Sequence, residues 1–573
     1  MSGANNDVMV ILPGVVVAAT ALVVFMADTL VGGRKWVLPW IAAAGLIVAA
    51  GVATAQWIDV GAIGSVWDFV SGSGSGLFGG GTAESGFASM VALDKFAYYC
   101  TLLFCVIGVL TIMLSDAYMK KRRDAMGEFY GLLLLVITGM IGMAISIDVI
   151  ALFVAFELMS LPTYVLAGFI RGDERSGEAA IKYFINGAFS SAILLFGLAL
   201  LYAATGQTNY ASIAAGLNNL GADAQSGLVI VALVLVAVGF GFKIAAVPFH
   251  WWAPDVYEGA PTPVTAFMSV GIKAGAFVGF LKLFTVAVIS APEVWTAILT
   301  ILAVLTMIVG NALALPQRNL KRMLAYSSIA HAGYILLGLI AVGAGNVSVG
   351  ASGERVLDTS GSSAVLFYLG AYAFMNIGAF GILVWIRNRR AFRYTLDEVA
   401  GLARSMPWTA IAMTLFMLSL TGIPPLVGFW GKLYLFTAIV NAGMTWLAVL
   451  AVIMSAVSAY YYLRVVWYMY FREAPGVAPA GAGAAEAGAV QAGAVEAGAT
   501  VAGAPVTVGA AGALETGAGA AAAEATLVAD DAGPAVGSAA AVVIASLGVL
   551  VLGLYPSPLI SAAQGALRVL LGG

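Results

Sequence analysis

Apolar residues in this chain run in long unbroken stretches, without the alternation of a strand or the one-sided stripe of a surface helix. Fourteen runs stand out, near residues 8–27, 36–56, 94–114, 128–146, 148–170, 180–204, 227–250, 262–284, 293–315, 323–343, 362–386, 407–438, 443–470 and 538–556. Most approach the roughly 20 residues that cross a hydrocarbon layer about 30 Å thick. Lipid offers no partner to backbone N–H and C=O groups, so each run is expected to be a helix. The pattern predicts an all-α polytopic membrane protein with about fourteen transmembrane helices.

Two segments interrupt the runs. Ser71–Gly81 is rich in glycine and serine and contains a GxGxxG match at Gly74, Gly76 and Gly79. No strand leads into it and no helix opens from it, so it reads as a loop and not as a phosphate cradle. Residues 474–536 are Ala/Gly-rich, carry scattered Glu and Asp, and hold no Lys or Arg. This is low-complexity sequence with too few bulky apolar residues to pack, expected as an insertion before the last run. The opening MSGANND has no basic segment before its apolar run, so the first run is expected to remain as a spanning helix.

Composition agrees. The chain is 61% hydrophobic and 10% charged, against roughly 25% charged in ordinary soluble domains. No basic patch with interleaved aromatics suggests nucleic acid. Cys100 and Cys105 are the only cysteines; two are too few for an iron–sulfur cluster, and their spacing is not that of a zinc site. Lys and Arg concentrate in alternate loops, at Arg34–Lys35, Lys120–Arg123, Arg171–Arg175, Arg318–Arg322 and Arg387–Arg404. The opposite loops hold little beyond Arg355, with Arg568 in the tail. The basic loops are therefore expected in the cytoplasm and both termini outside.

The informative residues are the charges inside the runs, because an ionised group at the bilayer centre costs at least a few kcal/mol and must face a bundle interior or water. Glu157 stands mid-run in VAFELMSLPTY, Lys243 in GFGFKIAAVPFHWW, Lys273 in MSVGIKAGAFVG, and Lys432 in TGIPPLVGFWGKLYLF. One carboxylate cannot neutralise three ammonium groups, so some of these lysines are expected to be neutral part of the time, which makes them proton carriers. His331, in LAYSSIAHAGY, suits a relay because imidazole titrates near neutral pH. His250, at the cytoplasmic end of its run, is a candidate for the proton entrance. Lys282, near the outer end of its run, is expected to reach the interface by its flexible stem. Pro248 follows Lys243 and Pro424–Pro425 precede Lys432, so two helices are expected to break beside a lysine, as in transporters. Pro162, after Glu157, is a weaker case.

The segment PFHWWAPDVYEGAPTPVTAFMS, ending at Ser269, with Glu157, Lys243, Lys273 and Lys432 around it, resembles the antiporter-like membrane subunits of respiratory complex I. These are similar in fold to subunits of Mrp-type cation/proton antiporters. The resemblance covers about residues 1–473 and 538–573. It points to the branch with fourteen helices and a lysine at the position of Lys432, without a lateral helix at its C-terminus. It implies two inverted five-helix repeats, each with a broken helix. The implied organisation is residues 1–127 as three leading helices, 128–290 and 291–473 as the repeats, 474–536 as the insertion and 537–573 as the final helix. Glu157 and Lys243 would form a pair that responds to a neighbouring subunit, Lys273 the central relay, His331 a link, and Lys432 the outward terminus. No cofactor is expected in the chain, with FMN, iron–sulfur clusters and quinone on partner subunits. The expected partners are the antiporter-like subunit M and the small membrane subunits, in the lipid of a bacterial inner membrane. The alternative reading is an Mrp-type antiporter subunit.

Overall fold

The computed structural model describes residues 2–30, 32–57, 84–120, 126–220, 227–345, 348–349, 355–356, 360–389, 392–473 and 536–567. The Gly/Ser segment around Gly74–Gly79, the basic residues Lys121–Arg123, Arg390, the insertion 474–535 and Arg568 lie outside them.

Thirteen of the described helices are long and apolar enough to cross a membrane. We number the helices α1 (Ser2–Leu30), α2 (Leu38–Trp57), α3 (Lys95–Lys120), α4 (Met126–Ile145), α5 (Val149–Ala167), α6 (Glu174–Thr205), α7 (Tyr210–Leu220), α8 (Gly227–Ile244), α9 (Trp252–Gly259) and α10 (Thr262–Ala287). They continue as α11 (Pro292–Ala314), α12 (Leu320–Ala344), α13 (Ser360–Arg389), α14 (Pro407–Thr421), α15 (Val427–Asn441), α16 (Thr445–Phe471), α17 (Val536–Leu554) and α18 (Ser557–Leu567). The run over 407–438 accounts for the difference from fourteen: it is split into α14 and α15, each too short to count alone. The run over 227–250 breaks after Ile244 and resumes as α9. Pro162 does not break α5. Among the described elements that the hydropathy pattern does not predict are the short amphipathic helix α7 and a hairpin of β1 (Glu84–Gly86) with β2 (Val91–Leu93).

Packing puts the charged runs inside. α10 is buried along its whole apolar window, whereas α2, α16 and α17 present most of theirs outward. Around α10 lie α3, α4, α8 and α13, while α11 and α12 form the most extensive helix pair among the described residues. Close approach is set by glycines: a Cβ on Gly139 of α4 would clash with the Met159 backbone nitrogen of α5. Small residues at such crossings let backbones meet where lipid gives helices no hydrophobic drive to associate.

Candidate functional site

The break after α8 leaves backbone groups that must find other partners. The indole N–H of Trp252 donates to the Phe242 carbonyl at 3.1 Å, and the Val247 N–H donates to Oγ1 of Thr306 on α11 at 2.9 Å. Ala245, in the bend, has φ of +59°. Lys243, in the last turn of α8, is 1% exposed. Its Nζ donates to the Tyr164 hydroxyl at 3.4 Å and lies 4.9–5.4 Å from the ring centres of Tyr164, Phe156 and Tyr183. An aromatic cage of this kind holds an ammonium through the negative faces of the rings.

The expected Glu157–Lys243 contact is not closed. Among the described residues no ion pair within 4.0 Å joins them. Glu157 is half-buried on α5, and its Oε1 has no hydrogen-bond partner among the described residues. Its neighbours in sequence, Phe156 and Tyr164, are the residues that carry Lys243.

Lys273 follows directly on a π-helical turn, Met268–Ile272, within α10. Such turns are rare and concentrate at functional sites. The side chain is 2% exposed, and Nζ donates to the Ser328 carbonyl of α12 at 2.7 Å. One turn along α12, both ring nitrogens of His331 are engaged, Nδ1 with the Tyr368 hydroxyl at 2.6 Å and Nε2 with the Tyr462 hydroxyl at 3.0 Å. Tyr462 also bonds Ser327. A neutral imidazole donates from one nitrogen and accepts at the other, and a hydroxyl does both, so this chain can reverse its direction. Beside it, Asn311 donates to the Tyr334 hydroxyl and accepts from the Tyr461 hydroxyl, at 3.1 and 3.0 Å.

Lys432 meets the second break. α14 ends at Thr421 with Gly422 in the left-handed region, φ +91°. The Lys432 ammonium donates to the carbonyls of Leu420 and Thr421 at 3.0 and 2.8 Å, and to Oγ of Ser455 on α16 at 2.8 Å. A cation thus caps the negative end of a helix that stops inside the bundle. Nζ also lies 5.2 Å from the ring centre of Tyr334.

Lys273, His331 and Lys432 are therefore grouped around α12, with the Tyr334 ring packed against both His331 and Lys432, and Lys243 stands apart in its cage. His250 is half-buried in the first break, and its Nδ1 has no hydrogen-bond partner among the described residues. Close by, Lys182 and Arg322 both bind Asp255 at 2.8 Å, and Arg322 binds Glu258 at 2.9 Å. Burial by itself would raise the Asp255 carboxyl, but these two cations hold it below its usual range.

Two lysines behave differently from their expected roles. Lys321 is not a loop residue of the basic face: it is buried at the start of α12 and donates to the carbonyls of Glu258 and Ala260 at 2.8 and 2.7 Å, closing the end of α9. Lys282 does not reach the interface, being buried against Asp94. The tyrosines, serines and Asn311 had no sequence signal, because such residues are ordinary in apolar helices.

Residues 146–458 match the transmembrane family described as NADH:quinone oxidoreductase/Mrp antiporter. The chain belongs to this family of polytopic antiporter-like membrane proteins. Among curated relatives, NADH-quinone oxidoreductase subunit N of Trichlorobacter lovleyi is 43% identical over 464 residues, covering 81% of this chain and 87% of the relative. In solved structures, a chain of respiratory complex I from Thermus thermophilus with bound aureothin superposes with a TM-score of 0.65 at 30% identity, covering 96% and 99% of the two chains. A chain of the Mrp complex from Dietzia sp. has a TM-score of 0.73 and 22% identity, covering 99% of this chain and 98% of its own. That second likeness is one of fold.

Proposed function

We propose that the chain is the N-type membrane-arm subunit of an NADH:quinone oxidoreductase and carries protons across the bilayer through Lys243, Lys273, His331 and Lys432. His250 stands at the entrance, and Glu157 sets the field at Lys243 from the face toward a neighbouring subunit. Electron transfer, with FMN, iron–sulfur clusters and quinone, belongs to partner subunits. Antiporter-like subunit M and the small membrane subunits are the neighbours. Residues 128–290 and 291–473 act as inverted repeats, each contributing one broken helix, with both termini on the outer side of a bacterial inner membrane.

The observation that carries this reading is the state of three lysines. Lys243, Lys273 and Lys432 are all buried, and among the described residues none has a carboxylate within ion-pair distance. A buried ammonium without a counter-charge is costly, and the cost falls when it gives up its proton. Each has hydroxyl or carbonyl oxygens to hold the ammonium when the proton is present. A group poised in this way takes up a proton when a neighbouring negative charge approaches and releases it when that charge withdraws. The identity with subunit N relatives favours this reading over a cation/proton antiporter, which has likeness of fold behind it.

Lys273 tests it. Lys273→Met keeps bulk and cannot titrate; Lys273→Arg keeps a charge that does not leave. Both are expected to lower pH-gradient formation by assembled complex in proteoliposomes by about a hundredfold, the low end of what a positioned proton-transfer group contributes. Near-normal pumping by Lys273→Arg would show that a fixed positive charge suffices and would overturn the titrating relay.

A further inference from the structure

Among the described residues, the relay leaves a buried charged pair unused. Lys282 and Asp94 are 1% and 6% exposed, with Nζ 3.3 Å from Oδ2. Lys282 also donates to the Ala144 carbonyl at the end of α4, at 2.7 Å, and lies 5.6 Å from the ring centre of Phe96. Oδ1 of Asp94 accepts from the Ala97 N–H at 2.7 Å, capping α3. Lys282 is nine residues beyond Lys273 on the same buried helix, which is about 13 Å along its axis. It therefore stands between the central relay lysine and the face where α10 ends.

That face is closed over the pair. Asp94 directly follows the β1–β2 hairpin. The Ile147 N–H donates to the Met90 carbonyl at 3.0 Å, and the Asn209 amide donates to the Ser89 carbonyl at 2.8 Å, tying the hairpin to the α4–α5 and α6–α7 junctions. Phe87, Ala88 and Ser89 in the hairpin turn all have positive φ, between +52° and +62°. Non-glycine residues persist there only when their surroundings over-determine them, and such strain clusters at clamps and switches. α7 packs across the π-helical end of α10, Leu283–Ala287.

We infer that the Asp94–Lys282 pair under this hairpin is a seal, which stops protons on Lys273 from leaving through the first half of the protein and so sends them toward Lys432. The inference rests on the relay proposed above. Its chemistry follows from the counter-charge that the relay lysines lack: an ammonium paired with a carboxylate has three donors and no lone pair, so it offers a hopping proton no acceptor. Both Asp94 oxygens are engaged, Oδ1 by the Ala97 N–H and Oδ2 by the Lys282 ammonium. By the distribution of Lys and Arg the sealed face is the outer one.

The test uses the assembled complex in proteoliposomes. It reads the decay of an imposed pH gradient without NADH, and the protons pumped per NADH oxidised. Lys282→Met and Asp94→Asn should speed the decay several-fold and lower the pumping ratio, while Lys282→Arg, which keeps the donors, should resemble the parent. Adding Lys273→Met to Lys282→Met should suppress the extra leak, since the open path runs through Lys273; a leak from disturbed packing would persist. Parental decay and pumping ratio in Lys282→Met would overturn the seal, as would a leak that Lys273→Met leaves unchanged. If the pair variants do not assemble, Asn209→Ala loosens the hairpin with the pair intact, and parental decay there counts against the seal equally. Failure of the relay shows separately, as normal pumping by Lys273→Met alone.

Discussion

At the scale of single residues, what decides behaviour is which atoms surround each buried charge. Lys243 rests on aromatic rings and one hydroxyl, and Glu157, whose Oε1 is unpartnered among the described residues, lies on the same stretch of α5 as Phe156 and Tyr164. A shift of α5 alters the lysine's surroundings and its distance from the carboxylate together. Lys243→Ala and Glu157→Gln are therefore both expected to lower pumping and NADH:quinone turnover in complexes shown to be assembled on a native gel, because a blocked relay backs up into the coupled redox chemistry. Full turnover with full pumping in both would remove them from the path. Lys432 allows a sharper test. A Cβ on Gly422 would lie 2.9 Å from Cδ of Lys432, at a φ that costs an L-residue roughly 1–2 kcal/mol. Gly422→Ala should displace the ammonium from the Leu420 and Thr421 carbonyls and depress pumping while the complex still assembles; unaltered pumping would show that this helix-end site is dispensable. The buried lysines were legible because charge in an apolar run is conspicuous. Their partners were not: nothing in the sequence marks Tyr164, Tyr462 or Ser455 as different from tyrosines and serines packed elsewhere in these helices.

Among elements, the two breaks matter most, and they were readable from Pro248 and from Pro424–Pro425. A proline removes a donor, but a helix stops only where other groups satisfy the freed backbone. The Trp252 indole, the Thr306 hydroxyl and the Lys432 ammonium do so at the breaks. At Pro162 the helix continues instead, and Thr163 and Ser160 bond carbonyls one turn back within α5. What proline spacing could not reveal is how α9 is held. That needs Lys321 and Arg322, which hydropathy assigns to a basic loop because they sit at the edge of a run. Lys282 was misplaced for the same reason: distance from the end of a run says nothing about whether a hairpin covers that end. Removing the Lys321 ammonium takes one donor from each of the Glu258 and Ala260 carbonyls, and a hydrogen bond to a charged group is worth about 1.5–3 kcal/mol. Lys321→Met is expected to lower the temperature at which the complex loses NADH:quinone activity, without changing the pumping ratio of the molecules that survive. An unchanged inactivation temperature would mean that the α9 junction is held by the Arg322 contacts alone.

At the scale of the whole molecule, the breaks at Lys243 and Lys432 lie five runs apart, the spacing expected if one five-helix plan is used twice, and α10 and α12 lie between them as the buried connection. Thirteen spans were legible because each is long, apolar and bounded by loops, whereas the run over 407–438 is two short helices. The direction of transport depends on which end of each half is closed, and that depends on contacts between segments far apart in sequence, such as Asn209 with Ser89. The insertion is the remaining large feature. It joins Phe471, the end of α16, to Val536, the start of α17, and its composition of Ala, Gly and a few carboxylates offers little apolar surface to bury and no cation for an anionic partner. Entropy of closing such a loop grows only slowly with length, each doubling costing about 0.6 kcal/mol, so shortening it should perturb the helices little. Deleting residues 476–534 is therefore expected to leave assembly, turnover and pumping close to those of the parent, measured on the same proteoliposome preparations. Loss of the complex from native gels after deletion would show that the insertion docks on a partner subunit, a role that composition does not reveal.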